Sequence, residues 1–268
     1  MNVKKAMIVL VCTALLAELL LFALIPFKEQ MALADTCEAT FYSSASDGYL
    51  YYVTGGYDTV HDCPSGTVQS SGRLLIGQDA PGSAKAIYRA GLFFDTSSLP
   101  DSAEITSATL SLYGYSDASN TDFNITVVDG TVLNDPLQTS DYGNLLSQTT
   151  SGGAFNTSGF SIVAYNDIPL NTVGIGWISK TGTTKLGLRS ERDITDTEPF
   201  GPEYVTVNAC EQGEGYWPRL VVSYECTPVG GDIYSITRLA VLAPWLGLAA
   251  FMAVAMGVIV LMKRRHVA

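Results

Sequence analysis

Ile105-Thr-Ser-Ala-Thr-Leu-Ser-Leu-Tyr-Gly-Tyr115 is the stretch on which the fold turns. Ala108, Leu110 and Leu112 alternate with Thr109, Ser111 and Tyr113, the period of a strand with one buried face. The same alternation recurs on either side. Phe123, Ile125 and Val127 alternate with Asn124 and Thr126, and Leu220, Val222 and Tyr224 share one face of residues 219–224. Turn clusters separate these runs: Gly55-Gly56, Pro64-Ser-Gly66, Pro81-Gly82, Ser151-Gly152-Gly153, and residues 116–121 and 213–215. No amphipathic helix of three turns is legible in residues 35–235, and no internal repeat. Short strands between frequent turns predict one all-β domain, an antiparallel jelly-roll β-sandwich.

Outward from this domain the composition changes. Met1 to Lys5 is a basic start, residues 6–27 are apolar apart from Glu18, and Ala32-Leu33-Ala34 supplies small residues before Asp35. That order predicts an export signal over 1–34, either cleaved or kept as an anchor. Residues 239–262 carry no charge and are long enough to cross the roughly 30 Å hydrocarbon layer as a helix. Lys263-Arg264-Arg265 follows directly, which places the 263–268 tail in the cytoplasm and the domain outside. The segment before the helix contains no Leu-Pro-x-Thr-Gly motif, so a permanent membrane anchor is the expectation. The expected plan is therefore signal 1–34, ectodomain 35–226, stalk 227–238, membrane helix 239–262 and cytoplasmic tail, with lipid as partner of the helix.

Residues 35–235 hold eight Lys and Arg against 24 Asp and Glu, a net charge of −16. Such a surface repels nucleic acid at long range and favours neutral partners or cations. Four cysteines remain once Cys12 is assigned to the signal: Cys37, Cys63, Cys210 and Cys226. An even number in an exported domain predicts two disulfides, and three connectivities are open. Unequal distances from the turn at 212–215 disfavour Cys210–Cys226, so Cys37–Cys226 and Cys63–Cys210 are expected. Asn124-Ile-Thr126 and Asn156-Thr-Ser158 are glycan acceptor triplets, if the host glycosylates exported proteins.

Catalytic signals are sparse. His61 is the domain's one imidazole, and no Gly-x-Ser-x-Gly is present. Glu191-Arg-Asp193-Ile-Thr-Asp196 is similar to the catalytic strand of laminarinase-type enzymes, but it ends in Asp and lacks aromatic flanks. Asp193, Asp196 and Glu198 are hard oxygen ligands that could instead serve a structural calcium ion. Fourteen tyrosines, with Trp177 and Trp217, make stacking on sugar rings feasible. Candidates are Tyr49, Tyr51 and Tyr57 in one cluster and Tyr216 with Trp217 in another. Lys85, Arg89, Arg189 and Arg192 could hold acidic sugars if the fold brings them together.

Tyr88-Arg-Ala-Gly-Leu-Phe-Phe-Asp-Thr-Ser-Ser-Leu-Pro100 followed by Ala103-Glu-Ile-Thr-Ser-Ala-Thr-Leu-Ser-Leu-Tyr113 resembles the hallmark of the DNRLRE and disaggregatase-related repeat group. That group includes family 96 carbohydrate-binding modules. Leu186-Gly-Leu-Arg-Ser-Glu191 and Trp217-Pro-Arg-Leu-Val-Val-Ser-Tyr224 resemble its late and final strands. The resemblance implies a jelly roll and, in some members, polysaccharide binding without catalysis. The chain departs from the pattern in its cysteines, in long insertions at 57–71 and 137–159, and in having no enzyme domain attached. The expected function is a non-catalytic, membrane-anchored glycan-binding module. The alternatives are a structural or adhesive envelope protein, or a surface glycoside hydrolase or lyase.

Overall fold

The computed structural model describes residues 35–70 and 72–226, together with Ala249 and Met252. The expected export signal, stalk, membrane helix and tail otherwise lie outside the described residues. Among the described residues, no helix is long and apolar enough to cross a membrane.

Among the described residues, twelve strands form a single antiparallel network. One path of hydrogen-bonded neighbours runs β1 (Asp35–Tyr42), β12 (Arg219–Cys226), β6 (Glu104–Asp117), β11 (Glu203–Asn208), β4 (Arg73–Asp79) and β5 (Lys85–Asp95). It continues through β10 (Thr183–Ser190) and β7 (Asn124–Asp129) to β8 (Gly153–Asn156). Off this path, β2 (Gly48–Thr54) joins β5 and β3 (Thr67–Gln69), and β9 (Tyr165–Pro169) joins β6. Phe41 from β1 and Ile125 and Val127 from β7 belong to one core cluster, so strands near opposite ends of the path meet and the sheet is curled. The alternation read in the sequence holds here: Ala108, Leu110, Leu112, Leu220 and Val222 all enter this core.

β5 is buried on both faces. Ala90, Leu92 and Phe94 point into the main core, whereas Ile87 and Phe93 join a second cluster with Leu50, Val60, Leu133 and Leu145. Two segments build that second layer. Residues 57–71 contribute Tyr57 and Val60 through the short helix α1 (Tyr57–His61). Residues 137–159 contribute Leu137, Tyr142 and Leu145, the last two from α2 (Asp141–Leu146). Two four-residue helices complete the set, α3 (Thr172–Ile175) and α4 (Glu191–Ile194). These segments thus cover an outer sheet face that would otherwise expose Leu50, Ile87 and Phe93 to water.

Cys37 and Cys226 form a disulfide with Cα atoms 5.7 Å apart, diagonal across the β1–β12 pair. It closes a loop of 189 residues, for which the chain-entropy model gives about 5 kcal/mol. The expected Cys63–Cys210 bond is not made: both are thiols. Cys63 follows α1, packs against the second cluster and donates to the Ser65 carbonyl at 3.0 Å. Cys210 opens the 3-10 turn after β11, beside Glu211, and burial together with that carboxylate pushes its thiol up to about 12. The even count of cysteines misled because only the first and last strands are neighbours with cysteines in reach.

Candidate functional site

The inward side chains of β6 leave its odd positions facing out. Tyr113 lies opposite Tyr165 in the β6–β9 register, their rings edge-to-face at 5.2 Å. Arg219 of β12 sits opposite Ser111, and its guanidinium lies 4.1 Å from the Tyr165 ring centre. Tyr42 of β1 is the next residue across from Arg219, and its ring meets Trp217 at 5.8 Å. Tyr216 closes on Tyr113 at 4.8 Å, and the Arg73 guanidinium lies 3.4 Å over Tyr115. The result is a face of tyrosines interleaved with two arginines.

Local hydrogen bonds hold this face rigid. The Tyr165 hydroxyl donates to the Trp217 carbonyl at 3.1 Å, pinning the segment that carries Tyr216. The Tyr113 hydroxyl donates to the Val163 carbonyl at 2.6 Å. A groove of about 330 Å³ opens between these segments, lined by Arg73, Tyr113, Tyr115, Asn208, Gln212 and Tyr216 together with Gly114, Ile162 and Val163. Tyr115 and Tyr216 are 48% and 44% exposed, enough to offer a ring to a ligand. Asn208 is only 6% exposed. The buried Nε atoms of Arg73 and Arg219 lack a hydrogen-bond acceptor among the described residues. Arg89 and Arg189, by contrast, are hydrogen-bonded by a carboxylate, and Arg192 Nε lies 2.6 Å from the Glu203 carboxylate. Trp217 Nε1 is a third unpaired donor on this face, and buried unpaired atoms also occur elsewhere, at Ser43, Asp47, Tyr57, Gln78 and Arg192. On this face a ligand's hydroxyl or carbonyl oxygens could accept from the unpaired donors.

Of the residues expected to bind ligand, Tyr216 lines the groove and Trp217 borders it. Tyr49 and Tyr51 belong to a separate, half-buried row with Tyr88 and Tyr204. Gly77 of β4 pairs with both Tyr88 and Tyr204, whose rings meet at 5.3 Å. Its φ of +132° and the tight approach of the Glu203 carbonyl leave no room for a Cβ. Burial pushes Tyr49 up, and pushes Tyr88 up to about 12. Tyr57 is buried in the second cluster and stacks on His61, and burial drives its hydroxyl far above the usual range.

The arginines do come together, but inside the protein. Arg89 and Arg189 both grip Asp193 of α4, and all three side chains are essentially without exposure. Arg89 Nη1 donates to the Tyr142 carbonyl at 2.7 Å and Nη2 to that of His61 at 3.1 Å. Arg189 Nη1 donates to the carbonyls of Leu145, Leu146 and Gln148. The hub thus ties α1, α2 and α4 to β5 and β10. Burial raises the Asp193 carboxyl, but the two guanidiniums outweigh it and hold the group well below the carboxylate range. Arg89 and Arg189 are not ligand-binding residues, because no ligand can reach them. Lys85 is occupied as well, pairing with Glu198 at 2.8 Å and donating to the Pro199 carbonyl.

The same contacts remove the expected calcium site. Asp193 spends both oxygens on arginine, Glu198 pairs with Lys85, and Asp196 lies beside His61 Nδ1 at 3.6 Å. Among the described residues, no group of three or more His, Cys, Asp or Glu side chains is placed to hold a metal. His61 is held by the Asp62 carboxylate and the Asp193 carbonyl, with no nucleophile in that set. Among the described residues, no Asp or Glu lines the groove. Asp47 has a carboxyl pushed up to about 8 by burial, but it is enclosed where β1 crosses to β2, accepting from the Phe93 amide at 2.9 Å.

Sequence reading missed Arg73, Asn208, Gln212 and Arg219, which lie in or beside the groove. Arg73 and Asn208 are cross-strand partners at the end of the β4–β11 ladder. Their pairing depends on strands 135 residues apart, and nothing local marks it. Compared with known proteins, the chain matches no family profile and no curated protein.

Proposed function

We propose that the protein is a non-catalytic glycan-binding module displayed outside the cell on a C-terminal membrane helix. The observation that carries this reading is the groove itself. Exposed Tyr115 and Tyr216 offer apolar ring faces to a pyranose, while Asn208, Gln212 and Arg73 offer donors to its hydroxyls. A lining with no carboxylate supplies neither the acid nor the base of glycoside hydrolysis, which favours binding over turnover. The curled antiparallel sheet is compatible with a jelly-roll sandwich, and the resemblance around Tyr88 to Tyr113 points to the same class of module. The apolar run at 239–262 with its basic flank supports the anchor and the outward domain.

The test is to screen the full-length chain, in detergent, against an array of polysaccharides and to analyse any bound sugar for cleavage products. Retention of a polysaccharide without products is the expected result. Products would turn the reading towards a hydrolase or lyase, and an empty array towards a structural role. Protease treatment of intact cells tests the topology, with the domain expected to be accessible.

A further inference from the structure

The two acceptor triplets are distant in sequence but adjacent in space. Asn124 and Asn156 are direct partners in the β7–β8 register, and Asn156 Nδ2 donates to Asn124 Oδ1 at 3.0 Å. Their surroundings differ. Both carboxamides are hydrogen-bonded at each end, but Asn124 is half-buried, with its Nδ2 donating to the Glu191 carboxylate. Thr126, which completes its triplet, is 4% exposed in the middle of β7, between β8 and β10. Asn156 ends β8 and is exposed. Its Oδ1 accepts from the Ser158 amide at 3.0 Å, an Asx turn that folds the triplet back on its own side chain. Ser158 is exposed, and its hydroxyl has no partner among the described residues.

We infer that Asn156 is the position at which the folded protein accepts an N-linked glycan, and that Asn124 is closed to it. The donor is a lipid-pyrophosphate-linked sugar. A bond forms between Asn156 Nδ2 and the anomeric carbon, the bond from that carbon to the phosphate oxygen breaks, and the lipid pyrophosphate departs with the electron pair. Nδ2 gives up one of its two protons, and the second remains to face Asn124 Oδ1. A glycan there stands at the end of β8, the last strand of the sheet path.

The test uses purified, folded full-length chain, a single-subunit oligosaccharyltransferase and a lipid-linked oligosaccharide, with occupancy read by peptide mass spectrometry. Free peptides spanning residues 120–130 and 152–162 serve as substrates without a fold. Both peptides are expected to be modified, whereas the folded chain carries one glycan, on Asn156. Asn156→Gln and Ser158→Ala each abolish it, and Asn124→Gln leaves it in place. A glycan on Asn124 of the folded chain would overturn the inference. So would a bare Asn156 in the folded chain while its peptide is modified, or two unmodified peptides.

Discussion

Arg89 and Asp193, 104 residues apart in sequence, meet with no solvent exposure in a two-pronged pair, Nε to Oδ2 at 2.9 Å and Nη2 to Oδ1 at 2.7 Å. The same carboxylate takes Arg189 Nε at 2.7 Å. Removing the charge leaves two buried guanidiniums without a counter-ion, a loss of about 3–5 kcal/mol. Asp193→Asn is therefore expected to lower the urea midpoint strongly without changing the groove.

The hub also sets an acid limit. Asp193 has its folded pKa depressed below its usual 3.8, so the stability it contributes is complete above that value. It is lost as the pH falls from about 4 towards the folded value. Acid titration of wild type should show this loss, and Asp193→Asn should lack that component.

Asp47 works in the opposite direction. Its folded pKa is raised from 3.8 to about 8, so between those values the folded state holds a proton that the unfolded chain has lost. Stability contributed by the neutral acid is full below pH 3.8 and declines as the pH rises to 8. Asp47→Asn keeps the Phe93 amide bond and is expected to flatten the fall in Tm between pH 4 and pH 8.

The cysteines give a separate test. Thiol labelling of the unfolded domain under non-reducing conditions should modify Cys63 and Cys210 and spare Cys37 and Cys226. Cys37→Ser with Cys226→Ser should cost about 5 kcal/mol, whereas Cys63→Ser should change stability by less than about 1 kcal/mol.

These features divide by how local their cause is. Alternation in β6 and β12 was legible because each strand has one apolar face, and burial of that face needs no knowledge of the partner. The continuous run from Ile87 to Phe94 carried the further message that β5 is covered on both sides. Arg89 inside such a run was the sign of a buried ion pair, since a guanidinium there must find a carboxylate. It was read instead as a surface cation, together with Arg189. Pairing of Cys37 with Cys226 was legible from the closure of first strand on last. The groove was not, because it forms where β4, β6 and β11 meet the 3-10 turns after residue 209, and only Tyr216 among its rings stood out in the sequence.

In the proposed glycan site, polar recognition falls to Arg73 and Asn208. Asn208→Ala and Arg73→Gln are each expected to weaken saccharide binding by about tenfold, or 1.4 kcal/mol, the scale of one lost hydrogen-bonding group. Titration calorimetry against a polysaccharide retained on the array measures this.

Calorimetric comparison of wild type with Tyr115→Ala/Tyr216→Ala tests the aromatic face most directly. The account predicts that the double variant keeps the wild-type Tm and loses measurable affinity for every sugar that wild type binds. Equal affinity in the two proteins would contradict it.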